Sequence, residues 1–113
     1  MPTVLLADDS PVARHQLGKR LRDAGAVVIE ATSAKDACEI DPDGIDAALL
    51  DLDLGDGDGV KVAETLLAQR ADLPLAFFSS ETEGALFLRA KAIAQIFSKE
   101  RVDDAVAWAI SRA

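Results

Sequence analysis

The chain has 113 residues, a formal net charge of −8, half of its residues hydrophobic and 28% charged. That is enough for one domain, 1–113, with a core of its own, and a single cysteine, Cys38, excludes an internal disulfide and fits a reducing cytoplasm. The acidic balance argues against direct nucleic-acid binding, which wants a basic patch, and no apolar run is long enough to insert into a membrane.

Thr3–Ala7 (TVLLA) is a short branched, apolar run that predicts a strand, and it begins with no basic region before it, against a signal peptide. Ser10 and Pro11 then open a helix as N-cap and first helical residue. Ala13, Leu17, Leu21 and Ala24 give that helix one apolar face, with His15 off the stripe and facing solvent, and Gly25 closes it. Ala26–Ile29 predicts a second strand. Ser33 and Asp36 have capping-box spacing for a short helix that ends before Pro42 and carries Cys38 as a small boundary residue.

Ile45–Leu50 predicts the third strand, which runs into AALLDLDLGDGDG, where four aspartates fall within eight residues. A helix is expected from Gly59 to Ala71, with Val60, Ala63, Leu66 and Leu67 on one side. Pro74 introduces a fourth strand, Leu75–Phe78, and Ser80 with Glu83 reads as a second capping box for a helix through Leu86, Leu88 and Ala92. Ala94–Phe97 is the fifth strand. The last helix places Val102, Ala105, Val106, Ala109 and Ile110 on one face, with Trp108 off that stripe: packed on the preceding helix, or offered to a partner.

Five β–α units with strands apolar throughout imply an α/β fold: a doubly wound, five-stranded parallel sheet with helices on both faces. Ligands of such sheets sit beyond the C-terminal strand ends. Those ends carry Asp8 and Asp9, then Asp51, then Ser79 and Ser80, then Ser98 and Lys99. Two carboxylates about 4 Å apart repel by roughly 4 kcal/mol at an effective dielectric near 20. Three together raise one another's pKa or recruit a cation, and carboxylate oxygens suit Mg²⁺. A carboxylate, a metal ion, a lysine and a hydroxyl are what in-line phosphoryl transfer needs.

On these residues the sequence resembles a receiver domain of the bacterial response-regulator family, the CheY-like fold. LLADDS resembles the acidic pair after the first strand, LLDLDLGDGDG the phosphoacceptor segment, LPLAFFSSE the fourth strand with its hydroxyl, and IFSKE the lysine of the fifth. The resemblance implies that Asp51 accepts a phosphoryl group from a histidine kinase or histidine phosphotransfer protein. It implies Mg²⁺ held by Asp9 and Asp51 directly, by Asp8 mainly through water and by the backbone carbonyl of Asp53. Ser79 and Lys99 would contact the phosphoryl group, and Asp53 and Glu81 fall where the family tunes the lifetime of the phosphorylated form. The domain would stand alone, act no further as an enzyme than on its own phosphorylation, and signal by altered binding to a downstream protein.

The sequence departs from the family pattern in two places. Ile96 stands where an aromatic switch residue is usual, with Phe97 on the opposite face of the strand. Glu100 follows Lys99 where the family tends to have a cis-linked proline, and a cis bond before a non-proline costs about 3 kcal/mol, which leaves open whether this bond is cis or trans and how Lys99 sits. The stretch from Ser79 to Lys99 is also a residue or two short, which predicts a fourth helix that is abbreviated or ill-formed. A second reading of the same fold is therefore a phosphorylation-independent adaptor. Two rivals for the aspartate-rich loop fit less well. No register gives an EF-hand its acidic, glycine and glutamate positions. The Asp-x-Asp of haloacid-dehalogenase-like phosphatases is followed by other motifs and a longer chain.

Overall fold

The computed structural model describes residues 1–112. In chain order the elements are β1 (Thr3–Ala7), α1 (Pro11–Asp23), β2 (Val27–Ala31), α2 (Ala34–Cys38), a 3₁₀ turn (Pro42–Gly44), β3 (Ala47–Leu50), α3 (Gly59–Gln69), β4 (Leu75–Ser79), α4 (Ala85–Ile93), β5 (Ile96–Ser98) and α5 (Val102–Ile110). The strands form one parallel sheet in the order β2-β1-β3-β4-β5.

The sheet is covered on both faces because alternate side chains of each strand enter different cores. Leu5, Ala7, Ala48, Leu50, Leu75 and Phe77 join α2, α3 and α4. Val4, Leu6, Leu49, Ala76 and Phe78 join Leu17 and Leu21 of α1 and Ala105 and Ala109 of α5. Each fully buried leucine or phenylalanine contributes about 1.5–3 kcal/mol, and the central strands β1, β3 and β4 are buried almost without exception. This is why they read as continuous apolar runs in the sequence.

Local signals set most element starts. The Ser10 hydroxyl accepts from the Ala13 N–H with Pro11 at the first helical position, and the Ser33 hydroxyl accepts from the Asp36 N–H. Several boundaries differ from the sequence expectation. β2 lies one residue later at its start and two at its end, because Thr3 to Ala7 pair in register with Val27 to Ala31. β3 begins at Ala47, with Ile45 buried beside the 3₁₀ turn before it. Ala24 is exposed and caps α1 from outside its apolar face.

The second capping box does not form. The hydroxyl that takes a backbone N–H here is that of Ser79, from Glu81, and Ser80 and Glu83 are exposed in the connection. α4 starts at Ala85, after Gly84 in the left-handed region (φ 101°), with no side-chain cap. It runs for nine residues.

Candidate functional site

Strand register builds the site. Ala7 pairs with Leu50 in the two central strands, so the residues that follow, Asp8 and Asp51, leave the sheet side by side. The ladder continues into the site: the Asp51 N–H donates to the Ala7 carbonyl at 2.9 Å and the Lys99 N–H to the Ser79 carbonyl at 3.1 Å. Carboxylate oxygens of Asp8, Asp9 and Asp51 come within 4.8 Å of one another. Lys99 closes the group, its Nζ 2.6 Å from Asp8 Oδ2 and 3.1 Å from Asp51 Oδ2.

The four groups are unequal. Asp8 is buried, with Oδ1 accepting from the Ser10 N–H at 2.9 Å and Oδ2 taken by Lys99. Asp9 is exposed, and its carboxylate makes no hydrogen bond among the described residues. Asp51 is only 13% exposed, and burial, with the Asp8 charge added, pushes its carboxyl up to about 6 against the opposing pull of Lys99. Burial works to lower the Lys99 pKa, but the hydrogen bond to Asp8 and the charges of Asp51 and Asp8 outweigh it and hold the ammonium above its usual range. The ammonium also lies 5.6 Å from the centre of the Phe78 ring.

The donor set fits a hard divalent cation. Two partly screened carboxylates and one free carboxylate face a common point, all oxygen donors, and a single lysine is their only cationic partner among the described residues. Asp53 stands apart from this cluster: its side chain is exposed and accepts from the Gly55 N–H at 3.0 Å. Ser79, at the end of β4, is buried with its hydroxyl accepting from Glu81, whose own side chain points to solvent.

The acidic loop therefore divides its aspartates among different tasks. Asp51 belongs to the site and Asp53 closes a local turn. Asp56 accepts from the N–H groups of Ala34 and Lys35, at 2.7 and 3.1 Å, and these bonds hold its pKa below the usual carboxylate range. Asp58 N-caps α3 through the Lys61 N–H at 2.8 Å. The last two serve backbone amides, which removes the appearance of a calcium loop. Gly55 takes a φ of +80° in the same turn.

The two positions that depart from the family pattern lie in β5 and just after it. Ile96 is partly buried against the core on the α4 side, while Phe97 faces the α5 side. No cis peptide occurs among the described residues, so the Lys99–Glu100 bond is trans, and Lys99 nevertheless reaches both carboxylates. Trp108 packs on Phe97 of β5, ring centres 6.1 Å apart and tilted by 55°, with the Arg112 guanidinium 5.3 Å from the indole. Sequence reasoning passed over Asp56, Gly59 and Arg14, whose guanidinium donates to the Asp8 carbonyl at 3.0 Å. Only Gly59 carried a signal, as a glycine at a helix start next to the acidic loop.

A family profile described as response regulator receiver domain matches residues 4–106. Among solved structures the chain is similar to the non-phosphorylated HemR receiver domain from Leptospira biflexa, at 26% identity and a TM-score of 0.84, covering 96% of this chain and 90% of that one. It is similar to the signal receiver domain of a modulated diguanylate cyclase from Desulfovibrio desulfuricans G20, at 28% identity and 0.80, covering 98% and 94%. It shares the fold of the response regulator TrrA from Thermotoga maritima, solved in complex with Mg²⁺-BeF, at 20% identity and 0.85, covering 98% and 97%. Among curated protein sequences no significant match is found.

Proposed function

The chain belongs to the response regulator receiver domain family, and from that premise we propose that it is a phosphorylation switch whose acceptor is Asp51. The observation that carries this is the Lys99 ammonium bridging Asp8 and Asp51 beside the free carboxylate of Asp9. Asp51 keeps an oxygen, Oδ1, that Lys99 does not hold, inside a group able to neutralise incoming phosphoryl oxygens.

A carboxylate oxygen of Asp51 attacks the phosphorus of a phosphohistidine on a histidine kinase or phosphotransfer protein. An O–P bond forms, the N–P bond breaks, and the imidazole leaves with the bonding pair. Asp8, Asp9 and Asp51 would hold Mg²⁺, with the Asp53 carbonyl as a further donor. When bound, the ion supplies positive charge to the crowded carboxylates and the phosphoryl oxygens. Lys99 is the cation that remains to pair with the phosphoryl group, and Ser79, whose hydroxyl accepts from the Glu81 N–H and keeps its own proton to donate, would bond a phosphoryl oxygen. Asp53 and Glu81, both exposed at the rim, would control access of hydrolytic water and so the lifetime of the phosphorylated form. The domain acts in the cytoplasm and signals by binding a downstream protein, with Trp108 on the α5 side as part of that surface. No helix among the described residues is long and apolar enough to cross a membrane.

One observation favours a second reading, a phosphorylation-independent adaptor: in place of the usual aromatic reporter stands a partly buried isoleucine packed against the core. Intact-protein mass spectrometry with acetyl phosphate and Mg²⁺ separates the two. A single phosphoryl adduct on the wild type, absent from Asp51→Asn and prevented by EDTA, is the expected result. If wild type stays unmodified with both the small donor and a kinase, the adaptor replaces the switch.

A further inference from the structure

The acidic pair after β1 is held from outside the site by a chain of three charged residues. Arg14, one turn into α1, donates from Nη1 to the backbone carbonyl of Asp8 at 3.0 Å and from Nε to Glu30 Oε1 at 3.2 Å. Glu30, on the edge strand β2, accepts at its other oxygen from Arg22 Nη2 at 2.9 Å. Arg14 is mostly buried, at 18% side-chain exposure, whereas the outer partners are more open. The Arg22 and Arg14 guanidinium groups hold the Glu30 carboxyl below its usual range, so it is a full anion where Arg14 needs one.

The carbonyl that Arg14 grips belongs to the peptide linking Asp8 to Asp9. Asp8 is independently fixed by Ser10 and Lys99 through its side chain. Asp9 has no such anchor among the described residues, so the set of the Asp8–Asp9 peptide bears on where its side chain leaves the backbone. We propose that Arg14, set by Glu30, is a positioning residue for the divalent-cation site: it fixes the Asp8–Asp9 peptide so that Asp9 faces Asp8 and Asp51. The inference rests on the metal reading given above for that site.

Electrostatics alone predicts the opposite sign, which makes the idea testable. Removing a positive charge near a cation site should tighten cation binding. Removing an outer-shell orienting group weakens it, typically by 10–100-fold. Mg²⁺ would be titrated by calorimetry and by amide NMR shifts into wild type, Arg14→Ala, Glu30→Gln and, as a charge control on the same helix, Arg20→Ala, which pairs with Asp103 away from Asp8. The expected outcome is about tenfold weaker binding for Arg14→Ala and a smaller loss for Glu30→Gln. Arg20→Ala should stay within about twofold, and the Asp9 amide resonance should move in metal-free Arg14→Ala.

Equal or tighter binding in a folded Arg14→Ala overturns the proposal, and if that variant does not fold, unchanged binding in Glu30→Gln does so. Absence of Mg²⁺ binding in the wild type overturns the metal reading itself, and the positioning role with it. An unmoved Asp9 amide in a wild type that does bind overturns the positioning role alone.

Discussion

A Cβ on Gly59 would stand 2.1 Å from the carbonyl oxygen of Asp51. The first residue of α3 thus rests directly on the backbone of the proposed acceptor, and its N–H donates to the Leu52 carbonyl at 2.8 Å. Most Gly→Ala changes in a helix gain up to about 1 kcal/mol from propensity. Here the added methyl meets the backbone of Asp51 and Leu52, so helix and strand end must part. Gly59→Ala should therefore lose about 2–3 kcal/mol in denaturant melts, in the range of overpacked cores, and lose Mg²⁺ binding with it. A variant as stable as wild type would mean that the loop moves more freely than this contact allows.

The pKa of Asp51 makes a prediction about stability with a definite sign. Its carboxyl is raised from 3.8 to about 6, so ionisation is harder in the folded chain than in the unfolded one. The penalty is absent below the unfolded value, grows as pH rises between the two, and is complete above about 6. A gap of about two pH units corresponds to about 3 kcal/mol at most, and the Asp51→Asn variant also gives up one of the two Lys99 contacts. With EDTA present, Asp51→Asn and wild type should have similar stability near pH 4. The variant should be more stable by about 1–2 kcal/mol at pH 7.5. Paired urea melts at the two pH values check this, and a variant less stable than wild type at pH 7.5 contradicts it.

The same titration should appear in metal binding. Below pH about 6 a proton occupies Asp51 and competes with the cation for the same oxygens. The Mg²⁺ dissociation constant should rise about tenfold for each pH unit below that point and be nearly flat above pH 7. A calorimetric series from pH 5 to 8 reads the slope directly. A flat profile throughout would show that Asp51 is not among the ligands.

Much of this arrangement was legible before any coordinates, and the parts that were not share a physical reason. The apolar runs of β1, β3 and β4 and the polar residues after them follow from burial on both faces, a property each strand carries locally. Ser10 and Ser33 announce their helices because capping is settled within one turn. By contrast, Ser80 and Glu83 satisfy the spacing of a capping box, yet the buried end of β4 leaves Ser79 to take the backbone amide. Asp56 caps a helix 22 residues earlier in the chain, and Arg14, which reaches the Asp8 carbonyl six residues back, takes its carboxylate partner Glu30 from β2. The extra aspartates looked like one feature because they cluster in sequence, whereas Asp53 closes a turn onto Gly55, Asp58 caps α3 and Asp56 reaches back to α2. Long-range partners leave no local periodicity to read.

Lys99 is the residue where binding and chemistry should separate. It is the cation that offsets Asp8 and Asp51, and a divalent ion would offset the same charge, so the two compete electrostatically. Lys99→Ala leaves the carboxylates with more uncompensated charge, and Mg²⁺ should bind more tightly, on the order of tenfold. Transfer from acetyl phosphate should nevertheless slow by about 100-fold at saturating Mg²⁺, the usual loss when one preorganised partner of a developing charge is removed. The comparison belongs at pH 8, because Asp51 without Lys99 loses the charge that holds its pKa down and would otherwise be partly protonated. Calorimetry gives the first quantity and time-resolved mass spectrometry the second. If affinity and rate fall together, Lys99 holds the site in shape and its charge is not what the phosphoryl group meets.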